Sequence, residues 1–193
     1  MIKKMKCLAM LLAFVYISAK AQDPSPRGTF AVETRLTTYL QNGFDAAVFY
    51  YPSQSKFSFG AIYATHEING NTRSLIFESN NRDALSIRLT WLAGIISRYH
   101  FLESRKGFFG EVGVGVEEFK VHIEEQVHGK TNGFISPAVG FMWFPWKAVG
   151  LYVLPKITAN VIVGRGREQR LRETTFRLRP VFPAPSIAIG WKF

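Results

Sequence analysis

The last stretch of the chain, residues 185–193, alternates between two kinds of side chain. Small or polar residues separate the large apolar ones, which are Ile187, Ile189, Trp191 and Phe193. Because successive side chains of a β-strand point to opposite faces, this period of two predicts a strand with one apolar face. The strand stops on the terminal Phe193, two residues after a Trp. This ending is a more specific feature than the alternation, which strands of soluble proteins also show. It makes a β-sheet fold the first hypothesis for the whole chain.

The N-terminal residues predict a secretion signal. Lysines at positions 3, 4 and 6 precede an apolar run over 7–18 and a small-residue cleavage site, Ala19-Lys20-Ala21. The run is too short for a spanning helix, which needs about 20 residues, and a short membrane anchor is the alternative. Cys7 comes before the apolar run is complete, so we predict no lipidation. The expected domains are a signal peptide at 1–21 and one mature domain at 22–193.

The composition of the mature region narrows the choice of fold. Its sequence has no cysteine, since the single cysteine of the chain is Cys7, so no disulfide framework is predicted. Nor does any later apolar run approach 18 residues, which argues against further membrane helices. A membrane β-barrel stays open, because alternating strands keep the mean hydropathy near zero, and here it is +0.03.

The net charge indicates the kind of partner. Loss of the four signal lysines lowers the formal charge from +10 to +6. Nucleic acid is the usual partner of a basic chain, but export argues against it. An anionic surface outside the inner membrane, above all lipopolysaccharide, is the better candidate.

Alternation recurs through the mature region and predicts eight strands of roughly 9–14 residues, close to the length that a tilted strand needs to cross a bilayer. They cover about 29–40, 44–51, 57–68, 87–101, 108–121, 134–144, 150–163 and 176–193. A helix at the fourth strand would spread its apolar residues around the whole helix, so a strand is preferred. Glu117-Glu118 breaks the alternation of the fifth strand, which predicts a bulge.

The predicted connections also alternate in length. Connections of about four or five residues follow the second, fourth and sixth strands, and connections of about 11 to 15 follow the third, fifth and seventh. This asymmetry is typical of outer-membrane barrels and places both termini on the short-turn, periplasmic side. Residues 122–132 are predicted to form one of the polar loops. The hairpin signal Asn42-Gly43 after the first strand is the exception to the pattern.

The two faces of the strands indicate which one meets lipid. An eight-stranded barrel is only wide enough inside for side chains, and one face suits that crowding because it is rich in glycine. The opposite face is aromatic near the strand ends, for example at Trp91 and Trp143, as in a lipid-facing girdle. A lipid-facing barrel is therefore favoured over a soluble, lipocalin-like carrier.

The glycine-rich face also carries seven charged residues. Buried in a narrow lumen, four bases and three acids nearly balance and can pair with each other. We therefore predict a closed, ion-paired lumen and not a conducting pore. The predicted lumen network consists of Glu33, Arg35, Arg88, Arg98, Glu111, Glu117 and Lys156.

The secretion signal, the eight strands, the loop asymmetry and the terminal Trp-Lys-Phe resemble the small outer-membrane barrels of the OmpX, OmpA-barrel and OmpW kind. The resemblance implies an all-β, eight-stranded antiparallel up-and-down transmembrane barrel. It also implies that the barrel-assembly machinery reads Trp191 and Phe193 as an assembly signal. Such proteins have structural, adhesive, transport or enzymatic roles, and the fold does not choose among them.

A series of arginines precedes and enters the last predicted strand. On an outer rim they would clamp lipid phosphates of lipopolysaccharide, because guanidinium binds phosphate through two parallel hydrogen bonds. The alternative is a solvated loop that pairs locally with Glu168 and Glu173. Three prolines follow, and a kink there would turn the last two arginines inward. The series is Arg165, Arg167, Arg170, Arg172, Arg177 and Arg179, and the prolines are Pro180, Pro183 and Pro185.

No catalytic or metal motif is found. The group His122, Glu124, Glu125 and His128 lies in a predicted loop and matches no metal spacing, so we predict neither metal nor cofactor. Outer-membrane lipid A deacylases are similar in size and carry a His with a Ser two residues on, but no His of this chain is followed in that way.

The sequence therefore predicts a non-enzymatic barrel that meets lipopolysaccharide or an unknown extracellular partner through its long loops. The alternatives are a lipid A-modifying enzyme with an unfamiliar site and a soluble periplasmic carrier.

Overall fold

A computed structural model describes residues 28–80, 86–123, 126–146, 149–164, 169–171 and 174–193 of the protein. The predicted signal peptide at 1–21 lies outside these ranges. The elements in chain order are β1 (Thr29–Arg35), α1 (Leu36–Tyr39), β2 (Phe44–Tyr51), β3 (Phe57–Ile68), α2 (Gly70–Ile76), β4 (Phe77–Ser79), β5 (Ser86–His100), β6 (Gly107–Ile123), β7 (Gln126–Trp146), β8 (Leu151–Val163), β9 (Gln169–Leu171), β10 (Thr174–Leu178) and β11 (Val181–Lys192).

Eight of these strands close into an antiparallel barrel in the order β1-β11-β8-β7-β6-β5-β3-β2, which confirms the predicted fold class. The other three form a small sheet in the order β4-β10-β9. We call the end with the chain terminus, the turns 52–56 and 101–106, and the adjoining ends of β7 and β8 the turn end. The opposite end, which holds α1, α2 and the small sheet, is the loop end.

The outer surface of the barrel is apolar over much of its height. Its exposed side chains include Phe30, Val48, Phe59, Ile95, Val112, Val139, Phe141, Trp143, Ile157 and Ile187. So large an exposed apolar surface, around a lumen that holds ion pairs, is the arrangement of a transmembrane barrel. Among the described residues, no helix has both the length and the apolar character needed to cross a membrane.

The apolar face of the wall changes sides near the loop end. Along β6, Val112, Val114 and Val116 are exposed on the outside, whereas Phe119, Val121 and Ile123 are buried on the inside. The strand itself is regular, because β6 pairs with β7 without interruption from Gly107 to Ile123. The predicted bulge at Glu117-Glu118 is therefore wrong. We call the level of these two residues the membrane edge, because the lipid-facing band ends there.

The barrel continues beyond the membrane edge as a water-exposed extension with an apolar core. β6 and β7 pair as far as Ile123 and Gln126, so the predicted polar loop at 122–132 is wrong. The small sheet fills the extension, since Phe77, Phe176 and Leu178 belong to the same buried cluster as Phe119. A soluble core of this kind needs apolar residues on the inside, which explains why the alternation inverts.

The bulge lies in β5, where the pairing shifts between Leu89 and Trp91 against β6 and between Leu89 and Leu92 against β3. One extra residue reverses the orientation of all later side chains. Arg98 and Ile96 point inward on the turn-end side of the bulge, and Leu89 and Ile87 point inward on the loop-end side.

The first predicted strand, 29–40, is too long. β1 ends at Arg35, and α1 follows it in the wall. The Thr38 carbonyl accepts hydrogen bonds from the backbone N–H groups of Gln41 and Gly43, both at 3.1 Å. Gly43 packs so closely that a Cβ would lie 2.3 Å from the Thr65 carbonyl oxygen. Asn42-Gly43 therefore ends a helical turn and does not form a two-residue hairpin.

Because β1 is short, β11 has a free edge, which we call the seam. β1 pairs with β11 only between Arg35↔Ala188 and Ala31↔Lys192, whereas β8 pairs with β11 as far as Val181. Phe193 N–H donates to Phe30 of the β1 side, and Lys192 N–H donates to Gly150 of the β8 side. The N–H groups of odd-numbered residues in β11 thus face β1 or, closer to the loop end, the seam.

Two of the three prolines occupy such odd positions. Pro183 and Pro185 lie in β11 with their nitrogens toward the seam, where no strand is present to accept a hydrogen bond. This is the edge position that proline tolerates. The predicted last strand, 176–193, is in fact two strands, because β10 leaves the barrel for the small sheet before β11 begins.

Candidate functional site

The lumen is occupied by an ion-pair network centred on Arg98, which is 0% exposed. Its Nη1 and Nη2 donate to the two carboxylate oxygens of Glu33 at 2.7 and 2.9 Å. Its Nε donates to Oε2 of Glu111 at 2.8 Å. Charge-assisted, two-pronged bonds of this kind are among the strongest in proteins.

Five further side chains complete the network, including Tyr51, whose hydroxyl accepts from Nη1 of Arg98 at 3.4 Å. Lys156 bonds to Glu111, and the Tyr152 hydroxyl donates to Glu33 at 2.6 Å. The rings of Phe49 and Phe109 lie 4.2 and 4.8 Å from the Cζ of Arg98. Stacked rings stabilise a guanidinium that has been removed from water.

The charges of the network balance. Arg98 and Lys156 carry two positive charges, and Glu33 and Glu111 carry two negative ones. Burying charges is costly unless each is paired, and here each has a partner. We call this buried, neutral group of side chains between β1, β5, β6 and β8 the plug.

Arg35 faces the lumen but forms a separate ion pair. Its Nε and its backbone N–H both donate to the carboxylate of Asp45, each at 2.7 Å. Asp45 is only 2% exposed. The sequence interpretation did not include Asp45, although it stands two residues before the inward Ala47 and thus on the lumen face.

Arg88 lies on the outside, because the bulge in β5 reverses its side chain. It is 50% exposed and lies 3.8 Å from the carboxylate of Glu67. Arg88 is opposite Lys120 in the strand pairing, so both lie beyond the membrane edge. The amides of Asn42 and Asn69 donate to Glu67, and these hydrogen bonds lower the pKa of its carboxyl below the ordinary value.

Glu117 is buried in the lumen without joining the network. It is 4% exposed and lies opposite Asn132 in the β6–β7 pairing. Glu117 Oε1 and Asn132 Nδ2 have no hydrogen-bond partner among the described residues.

The aromatic members of the network were missed by the sequence interpretation. Tyr152 shares the inner face of β8 with Lys156, four residues away, so the period of two contained the signal. Phe49 and Phe109 resemble lipid-facing aromatics in composition, and only the strand register shows that they point inward.

The arginine series is only partly described. Arg165, Arg167 and Arg172 lie outside the described residues, and for Arg170 only the backbone in β9 is described. Arg177 and Arg179 lie at the loop end, and both contact Glu78, at 2.5 and 3.6 Å. Arg177 is exposed, whereas Phe176 and Leu178 beside it are buried, so Arg177 does not enter the lumen.

The group of His122, Glu124, Glu125 and His128 is only partly described. Glu124 and Glu125 lie outside the described residues, and the His128 ring packs against Phe176 at 6.1 Å. Within the described ranges, no three His, Cys, Asp or Glu side chains come close enough to hold a metal ion.

The closed sheet and the apolar outer band define the class of protein, which is an eight-stranded transmembrane β-barrel. No protein-family model matches the sequence, and no curated protein matches it. Solved structures with a similar fold include the N-terminal barrel domain of Pseudomonas aeruginosa OprF, at 8% identity and a TM-score of 0.46, covering 88% of this chain and 100% of that one. Neisserial surface protein A is similar at 11% identity and a TM-score of 0.48, covering 86% and 95%. The attachment invasion locus protein Ail of Yersinia pestis is similar at 9% identity and a TM-score of 0.42, covering 86% and 97%.

Proposed function

We propose that the protein is a non-enzymatic, integral outer-membrane barrel with a structural or surface-interaction role. The observation that carries the proposal is the change of apolar face at the membrane edge. Below that edge Val112, Val114 and Val116 suit lipid, and above it the same strand suits water outside and an apolar core inside. The turn end is then periplasmic and the loop end extracellular.

The lumen supports an interaction role over transport. A solute would have to break the Arg98 bonds to both Glu33 and Glu111, which are buried inside the lumen. The small sheet and its apolar cluster close the other end. What remains available to a partner is the outer surface of the extension, which carries Arg88 and Arg177.

Lipopolysaccharide is the proposed lipid partner, and the barrel-assembly machinery the proposed reader of the C-terminal strand. Arg177 and Arg179 share one carboxylate, so the described part of the arginine series retains a net positive charge. Trp191 and Phe193 form a ring pair at 5.5 Å at the turn end.

Fractionation and gel migration test the location. The protein is expected in the outer-membrane fraction and to migrate faster unheated than boiled, as a folded barrel does. A protein recovered from the soluble periplasm would contradict the proposal.

Two further measurements test the role. Planar-bilayer recordings are expected to show no steady large conductance, whereas an open pore would. Lipid A mass spectra from cells with and without the gene are expected to be identical, and a changed acyl chain or headgroup would instead support an enzyme.

A further inference from the structure

Three polar groups surround the ring of Tyr51 at the turn end of the lumen. Lys192, the last inward residue of β11, places its Nζ 4.8 Å from the ring centre. Arg105, in the turn 101–106, places its Cζ 5.5 Å from the same centre. The His100 ring centre lies 5.7 Å away. Two positive charges therefore share one aromatic ring.

These groups have no acidic partner within the described residues. Lys192 forms no ion pair there, and the Arg105 guanidinium donates to the main-chain oxygens of Pro52 and Ser55. The face of Tyr51 attracts cations but carries no net charge, so it does not neutralise them. His100 is 0% exposed, and its Nε2 lies 3.1 Å from the Ser58 hydroxyl.

His100 adds an unsatisfied group. Its Nδ1 has no partner among the described residues. The Ser58 hydroxyl can donate to Nε2 or accept from it, so this contact allows either tautomer of the ring. In the tautomer with the proton on Nδ1, that nitrogen is a buried donor without an acceptor, and buried donors are normally paired.

Neighbouring side chains do not supply that acceptor. The layer above is already neutral, because Glu33 and Glu111 are matched by Arg98 and Lys156. Glu103 in the same turn forms no ion pair among the described residues. The Phe193 main-chain oxygen accepts from Phe30 N–H at 3.1 Å. Lys56 and Lys106 also lie at this end, so the four basic residues described there outnumber the two carboxylates of Glu103 and the terminal Phe193. The net positive charge that remains attracts anions.

We propose that the turn-end mouth is a binding site for a phosphate-class oxyanion, held by Lys192 and Arg105 with His100 as a third donor. Phosphate oxygens accept several hydrogen bonds at once, and both guanidinium and ammonium groups bind them. The phosphate belongs either to a lipid headgroup at the membrane surface or to a soluble molecule, and the experiments below separate the two.

Calorimetric titration with pyrophosphate tests the site on the mature chain folded in a nonionic detergent. Lys192→Gln is expected to weaken binding about tenfold, the usual effect of one charge-assisted hydrogen bond. Lys192→Arg keeps the charge and is expected to retain binding. Lys120→Gln removes one positive charge at the loop end and is the matched control, with no expected change. Absent saturable binding, or equal weakening by Lys192→Gln and Lys120→Gln, would overturn the proposal.

A footprint on the unmodified protein covers the case in which Lys192→Gln does not fold. Pyrophosphate is expected to protect Lys192 from an amine-acylating reagent and to leave Lys120 reactive. Equal labelling of both lysines with and without pyrophosphate would overturn the site.

Native mass spectrometry from phosphatidylcholine nanodiscs with a small share of phosphatidylglycerol identifies the source. Loss of retained phosphatidylglycerol in Lys192→Gln supports a lipid headgroup. Unchanged lipid retention together with Lys192-dependent pyrophosphate binding supports a soluble phosphate. If neither lipid retention nor pyrophosphate binding depends on Lys192, both the lipid headgroup and the soluble phosphate are refuted.

Discussion

Arg98 binds Glu33 across the lumen through two parallel hydrogen bonds of 2.7 and 2.9 Å, although 65 residues separate them in the chain. The two strands that carry them, β5 and β1, are not neighbours, since β3 and β2 lie between them in the barrel. The pair therefore ties together parts of the wall that no backbone hydrogen bond connects. The pair fixes the position of the Glu33 side chain within the plug and also closes the lumen.

Arg98→Met should strongly destabilise the barrel. Removing the guanidinium leaves Glu33 buried without a cation, and breaking a buried ion pair typically costs about 3–5 kcal/mol. Urea unfolding in detergent micelles measures the free energy of unfolding. Arg88→Met, at an exposed arginine with a 3.8 Å pair, should cost less than about 1 kcal/mol. Equal losses in the two variants would show that the network contributes no special stability.

The ion-paired plug also shows what alternation can predict. The period of two predicts a lumen position for Glu33, Arg98, Glu111 and Lys156, because each lies in a regular strand. It predicts the same face for Arg88, but one extra residue at the β5 bulge reverses that side chain. Counting residues in twos along the sequence does not reveal a bulge whose position is not already known.

The loop end was predicted less well for a different physical reason. Below the membrane edge an apolar residue of the wall faces lipid, whereas above the edge it faces the core. The apolar residues move from the outer face at Val116 to the inner face at Phe119, and this change in the sequence pattern predicts a break in the strand. The strand is in fact continuous, and what changes is its surroundings. The small sheet was missed because its strands have three to five residues and depend on the barrel for a core.

Glu117→Gln should stabilise the protein at neutral pH. Glu117 is buried with an unpartnered oxygen, so folding at neutral pH must either bury its charge or protonate it first. Both cost free energy that a neutral amide does not. We expect a gain of about 1–2 kcal/mol in the free energy of unfolding. Glu118→Gln is the control, because its side chain points outward from the next position and should change stability by less than about 0.5 kcal/mol. A loss of stability in Glu117→Gln would reveal a partner for the charge.

Gly115→Ala and Gly113→Ala should differ although both glycines point inward from β6. A Cβ at Gly115 would lie 2.3 Å from the Ala93 carbonyl oxygen, which belongs to the backbone of β5 and cannot turn away. At Gly113 the nearest atoms are 3.7 Å away, which is an ordinary contact. Overpacking typically costs about 1–3 kcal/mol, so Gly115→Ala should unfold at lower urea and Gly113→Ala should not. Similar midpoints would mean that the wall yields at this level.

Asn42→Ala should raise the pKa of Glu67. The Asn42 amide donates to the Glu67 carboxylate at 3.1 Å and is the main cause of its lowered pKa. A lowered pKa in the folded state means that this contribution to stability is present above the ordinary pKa of a Glu and is lost as the pH falls through the folded value. NMR titration of the Glu67 side chain measures the change. An unaltered titration in Asn42→Ala would assign the shift to Asn69 or Arg88 instead.

Pro185→Ala should destabilise the barrel even though alanine suits a strand better than proline does. The Pro185 nitrogen faces the seam, so alanine introduces an N–H that has no strand to bond with and lies in the lipid-facing band. An unsatisfied N–H in lipid is costly, and the unfolded chain also gains freedom, for an expected loss of about 1–3 kcal/mol in lipid vesicles. Pro180→Ala is the control, because Pro180 is exposed at the loop end, where water can bond a new N–H. The prediction fails if Pro185→Ala and Pro180→Ala both unfold at the same urea concentration as the unmodified protein. In that case the new N–H at position 185 has found an acceptor, and the seam is narrower than the strand pairing indicates.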